Sequence, residues 1–256
     1  MKNTPLLEAL LSVMDRKDHW AYRHFSEGRA TRPQLLLHYQ QEHAVYVRDF
    51  PVLLSRVHAR CPHPEVRQDL AENLYEEETG GLSRSKPHPE LFLEMMQGLG
   101  FARQKFERVD LVPEAAAYRA FVDQVTTRRP WIEGALVVTI FIEGSREDRR
   151  EVTGPAGAHE ADPEPGLREH FLVRHYGVDP RFLDLKRAHH KVESGHRHMA
   201  WKMVLDHARG AARAERLTRL MEQTVALWLL YRDGVARAAG IPVAATPIHN
   251  KIHKIK

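Results

Sequence analysis

Apolar residues recur at helical spacing along almost the whole of this 256-residue chain, and no run alternates as a half-buried strand would. That pattern points to an all-α fold, a single bundle of seven to nine helices, and the length suffices for a sizeable core. The periodicity predicts helices over residues 5–24, 31–58, 64–79, 114–128, 130–150, 167–176, 180–209 and 211–239, with a shorter one ending near Gly98. Thr31 with Pro33 reads as a capped helix start. Pro51 should kink the second helix at Phe50. Gly80-Gly81 is a conventional stop for the third. Residues 154–166, rich in Gly, Pro and acidic side chains, read as a surface loop inside one domain of residues 1–240, and 241–256 as an irregular basic tail.

Composition removes several function classes. Net charge is +4, but Arg and Glu are interspersed along the chain and form no basic stripe, so nucleic acid is not an expected partner. The longest apolar run, 135–142, is far short of the roughly 18 residues a membrane span needs. Residues 1–20 carry Asp and Glu within a short amphipathic run and lack the apolar core of a secretion signal. Cys61 is the only cysteine, which excludes a disulfide framework and fits a reducing cytoplasm. The one abnormal count is 17 histidines, and their places on helices decide what they mean.

His189, Glu193 and His196 stand four and three residues apart, within about 60° of one helix face at about 100° per residue. His198 lies about 180° from His189 and faces elsewhere. A His–carboxylate–His stripe is one way a bundle offers ligands to iron, manganese or zinc; a polar helix face in a His-rich protein would look the same. Glu77 adds weight. Of the adjacent Glu76, Glu77 and Glu78, it lies nearest the apolar stripe of Val66, Leu70 and Leu74, about 20° from its centre against about 80° for Glu78. A carboxylate on an apolar face needs a partner, although Glu78 stays an alternative if the last turn tightens. His88 follows across the glycine turn and can fold back toward Glu77. Glu143 closes the apolar run 135–142, where burial would be costly without a partner.

The order of these motifs resembles the haem-oxygenase-like superfamily, which includes thiaminase-II, the pyrroloquinoline-quinone synthase and di-iron oxidases and oxygenases. The likeness is densest over 20–100, in AYRHFSEGRAT, FPVLLSRVHARC and NLYEEETGGL. There it approaches the chlamydial death-domain-associating, para-aminobenzoate-forming branch, and it continues in FIEG and AHHKVESGH. Carried over position by position, the resemblance implies a metal ligand set of Glu77, His88, Glu143, His189, Glu193 and His196. Glu193 stands where Asp is usual. It further implies two iron ions per chain, O₂ as co-substrate and oxidation of a small-molecule substrate in a biosynthetic pathway. An external electron donor and a homodimer are compatible with that reading. In the aminobenzoate branch Tyr22 would itself be consumed. His38 stands where that branch has a second functional tyrosine, beside Tyr39, and no lysine follows Glu143 before Leu185. A metal-free hydrolase of thiaminase-II type would need a cysteine nucleophile, for which Cys61 is the sole candidate; a quinone-synthase-like oxidase would not need the full ligand set. A helical interaction module with a vestigial site is the non-enzymatic alternative.

Overall fold

The computed structural model describes residues 4–154 and 162–242, with the side chains of 193 and 194 left outside the description. The described residues are helical, with no strand among them. They form α1 (Pro5–Met14), α2 (Tyr22–Ser26), α3 (Arg32–Glu42), α4 (Phe50–Arg60), α5 (Pro64–Thr79), α6 (His88–Gly98) and α7 (Pro113–Arg128). After these come α8 (Trp131–Ala135), α9 (Asp148–Thr153), α10 (Glu164–Arg168), α11 (Phe171–Tyr176), α12 (Asp184–His207) and α13 (Ala211–Ala238). Two π-helical segments interrupt this order, His43–Val47 after α3 and Leu136–Ile142 after α8.

More segments appear than the seven to nine helices expected because three periodic runs break and a short helix, α10, begins within the stretch expected as a loop. The run 5–24 ends at Met14 and resumes at Tyr22. Between them His19 Nε2 and Trp20 Nε1 both meet Asp233 Oδ1 of α13, at 2.9 and 2.8 Å. The run 31–58 passes into the π-helical segment and restarts at Phe50, so Pro51 opens α4, where its missing N–H costs nothing, and does not kink a continuous helix. The run 130–150 stops at Glu143. A Cβ on Gly144 would sit 2.2 Å from the Ile140 carbonyl oxygen and 2.5 Å from Asp148 Oδ2, so only glycine lets the chain turn there. The loop expected over 154–166 gives way at Glu164 to α10, while 155–161 and the tail from 243 onward lie outside the described residues.

Buried side chains form two clusters. The larger joins α1, α4, α7, the Leu136–Ile142 segment, the end of α12 and α13, with Leu10, Leu54, Val122, Val138, Trp201 and Tyr231 nearly free of solvent. The smaller gathers Phe25, Leu35, Phe92, Met96, Leu172 and Leu183 from α2, α3, α6, α11 and the approach to α12. Side chains from both clusters line one cavity of about 570 Å³. No helix among the described residues is long and apolar enough to cross a membrane.

Candidate metal centre

α5 runs from Pro64 to Thr79 and ends on Gly80, whose φ of +65° is the left-handed conformation glycine adopts without a Cβ penalty. The chain then doubles back to α6, which begins at His88. This return stacks the end of α5 on the start of α6. Glu77 and His88 are both buried and face each other, with Glu77 Oε1 2.8 Å from His88 Nδ1. Glu78 is exposed. His189 comes from the first half of α12, its ring 4.9 Å from that of His88. One donor atom each from Glu77, His88 and His189 lie within 4.8 Å of one another. All three line the cavity, and so does Glu143 at the end of the π-helical segment.

Glu76 is fully buried and organises the turn. Its Oε2 accepts the Leu82 and Ser83 backbone N–H groups at 2.7 and 3.0 Å, and its Oε1 accepts from His88 Nε2 at 3.0 Å. Burial alone would raise the Glu76 pKa, but the hydrogen bonds from Ser83, His88 and Leu82 outweigh it and hold the carboxyl below its ordinary range. The carboxylate therefore fixes a proton on His88 Nε2. Nδ1, 2.8 Å from Glu77 Oε1 yet out of hydrogen-bond geometry with it, makes no hydrogen bond. Two ligands at right angles on one ion, with bonds of about 2.1 Å, have donor atoms about 3.0 Å apart. The Nδ1 to Oε1 separation is close to that spacing. A ligating imidazole whose other nitrogen donates to a carboxylate is a recurrent arrangement in metal sites.

Glu143 and His196 complete the neighbourhood from two further directions. Glu143 Oε1 accepts from Asn73 Nδ2 at 2.7 Å, one helical turn before Glu77 on α5. His196 is buried beside Asn73 and Thr139 and does not line the main cavity. Its Nε2 has no hydrogen-bond partner, and burial pushes its pKa down despite the pull of Glu77. A neutral imidazole with a buried nitrogen that lacks any hydrogen-bond partner suits a metal ion. Glu193 lies on the same helix, but its side chain is outside the described residues. The structure thus groups Glu77, His88 and His189 tightly and brings Glu143 to the same cavity, while His196 lies outside the cavity lining, in a small pocket it shares with Asn73, the residue that donates to Glu143. The donor set of carboxylate oxygens and imidazole nitrogens fits iron.

The remaining walls carry features that helical periodicity did not reveal. Lys17, from the break after α1, donates to the carbonyl oxygens of Phe141, Ile142 and Gly144 at 2.5, 3.2 and 2.5 Å. It ties down the residues on either side of Glu143, and burial draws its pKa to about 8. A lysine thus reaches the Glu143 region from a place far away in sequence. Asp148 Oδ1 accepts the Ser145 N–H at 2.7 Å and Oδ2 accepts from Trp201 Nε1 at 3.2 Å, anchoring the same turn to α12. Elsewhere in the cavity lining, Arg232 donates to Tyr46 Oη at 2.8 Å and to Glu42 Oε2 at 3.4 Å, while His38 Nε2 lies 3.3 Å from the same carboxylate oxygen. Burial would raise the Glu42 pKa, but Arg232 and His38 carry it well below the usual carboxylate range. Tyr22 also lines the cavity, half exposed, edge-on to Phe171 at 6.1 Å. Cys61 is buried at the end of α4, outside the cavity lining, and burial raises its thiol pKa, so it is not placed as a nucleophile for a ligand there.

Three curated relatives, all 4-aminobenzoate synthases, are similar over part of the chain. That of Chlamydia pneumoniae is 29% identical over 100 residues, covering 39% of this chain and 42% of its own. The Chlamydia muridarum protein is 30% identical over 101 residues, 40% of this chain and 41% of its own. The Chlamydia trachomatis serovar D protein is 28% identical over 112 residues, 40% and 46%. These matches span less than half the length of each relative. A family model described as "iron-containing redox enzyme" matches residues 37–229, a stretch that includes every candidate donor from Glu77 to His196. The chain is therefore a member of the iron-containing redox enzyme family, with its all-α, haem-oxygenase-like fold.

Proposed function

We propose that the protein is an iron-dependent oxidase or oxygenase that holds two iron ions and uses O₂ to oxidise a small molecule admitted to the 570 Å³ cavity. The observation that carries this reading is the cluster of Glu77, His88 and His189 donors within 4.8 Å, opening on the cavity that Glu143 also lines. Glu77, His88, Glu143, His189, Glu193 and His196 are the residues that would hold the metal. Iron bound there supplies one-electron chemistry with O₂. Glu76 keeps the His88 proton on Nε2, and Asn73 orients Glu143 through its amide. Lys17 steadies the backbone on either side of Glu143. Phe25, Phe92, Met95 and Leu172 give the cavity an apolar lining that limits water, while Glu42 and Arg232 offer an ion pair to orient a polar substrate group. Anaerobic loading with ferrous iron followed by exposure to O₂ tests the reading, with O₂ uptake expected only from protein whose Glu77 is intact.

A second reading, 4-aminobenzoate synthesis from the protein's own Tyr22, is favoured by the position of that side chain in the same cavity and by the names of the relatives. Peptide mass mapping after iron and O₂ treatment distinguishes the two. Chemical loss at Tyr22 supports self-consumption, whereas an intact Tyr22 with sustained turnover of an added substrate supports the first reading.

A further inference from the structure

A second group of donors lies away from the cavity, where α5 begins and α12 ends. His63 is the residue before α5, Glu65 is in its first turn, and His207 is the last residue of α12. One donor atom from each lies within 4.8 Å of the others. Glu65 Oε1 is 3.8 Å from His63 Nδ1 and 3.7 Å from His207 Nε2, and the two rings are 4.3 Å apart. The tautomer of His207 follows from its surroundings. Its Nδ1 is 2.9 Å from the Met203 carbonyl oxygen, which can only accept, so the proton sits on Nδ1 and Nε2, 3.7 Å from Glu65 Oε1, keeps its lone pair. Trp131 packs edge-on at 5.4 Å against each imidazole and holds the pair of rings in place.

We propose that His63, Glu65 and His207 form a zinc site that clips the start of α5 to the end of α12. Two neutral imidazoles and a carboxylate are a characteristic three-residue zinc set, leaving the fourth position to water. Tetrahedral donors at about 2.0–2.1 Å from zinc stand about 3.3–3.4 Å apart. The two glutamate–imidazole distances of 3.7–3.8 Å close to that spacing with a shift of less than about half an ångström in the two-thirds-exposed Glu65 side chain, and the imidazole donors already lie within 4.8 Å of each other. The site is open to solvent and separate from the candidate iron donors, none of which it shares. Its consequence for the fold is local and definite: α5 carries Glu77 and α12 carries His189 and His196, so the clip fixes the two helices that present those donors.

The test uses full-length protein without an affinity tag, in the wild type and in a Glu77→Gln/His189→Ala variant that disables the cavity site. Cobalt(II), a spectroscopic substitute for zinc, should bind the double variant once per chain with the visible absorption of a four-coordinate ion, and zinc should displace it. Adding His63→Gln or His207→Gln should weaken zinc binding more than tenfold and abolish that absorption. Glu65→Gln, at an exposed position that leaves folding undisturbed, should also weaken it about tenfold. Zinc should raise the melting temperature of the parent and leave that of the His207→Gln variant unchanged. Absence of cobalt binding in the double variant overturns the proposal, as does a zinc affinity in the three substituted proteins unchanged from that of the double variant, which would assign the metal to other histidines.

Discussion

Replacing Glu76 by Gln changes one atom of a fully buried carboxylate that has three donors directed at it: two backbone N–H groups and His88 Nε2–H. The amide keeps one accepting oxygen. If that oxygen stays with Leu82 and Ser83, the new NH₂ faces His88 Nε2, which must then accept, and the imidazole proton moves to Nδ1. There it occupies the position facing Glu77 that a metal ion would take. If the amide turns the other way, two backbone donors are left facing an NH₂ group, the costlier arrangement. Loss of the charge assistance in these bonds should destabilise the metal-free protein by about 2 kcal/mol. Iron affinity should fall about 10–100-fold, the usual effect of removing a partner behind a ligand. Urea unfolding of the metal-free protein and anaerobic ferrous titration measure the two effects, and the ¹⁵N shifts of His88 report the tautomer. Folded Glu76→Gln protein with iron affinity within twofold of wild type and the proton still on Nε2 would refute the account of how His88 is oriented.

Three other outcomes follow from the same geometry. Glu77→Gln should abolish iron-dependent O₂ uptake, whereas Glu78→Gln, at an exposed position, should largely preserve it; the reverse order in paired assays would move the ligand by one residue. His196→Ala should lower iron content while His198→Ala, on the exposed face of α12, should not, as elemental analysis of loaded protein will show. His43 is 3% exposed against Phe92, and burial pushes its pKa down to about 4. Between its ordinary 6.5 and that value the unfolded chain binds a proton that the folded chain does not, so its stabilising contribution is complete above pH 6.5 and lost as pH falls. From pH 7 to 5 that loss is about 2 kcal/mol, and His43→Phe should remove it from the urea-unfolding difference between the two pH values.

The sequence pattern was most informative where local chemistry decides the structure. Pro64 and Gly80 bracket α5 as expected, and Glu77 continues the stripe of Val66 and Leu70 into the cavity while Glu78 turns to solvent. The pattern was silent where distant groups intervene. Helix-face reasoning placed Glu76 farther from the stripe than Glu77, yet it is buried because the turn after Gly80 folds back and delivers two backbone N–H groups to it. A buried glutamate four residues before a glycine stop is a signal only when the return of the loop is known. The stop at Glu143 depends on a π-helical segment, on the crowding around Gly144 and on Lys17, which lies more than a hundred residues away in sequence. The His63–Glu65–His207 group joins two helix ends across 142 residues, and no local spacing announces it.

The most direct test of the central claim is the metal content and O₂ uptake of untagged protein loaded anaerobically with ferrous iron. The account predicts about two iron ions per chain, lost on substitution of His88 or His189, and O₂ consumed faster than by the same iron free in solution. Protein that binds no iron, or that holds in the cavity one tight zinc ion surviving His207→Gln, with O₂ uptake no faster than free ferrous ion, would contradict it.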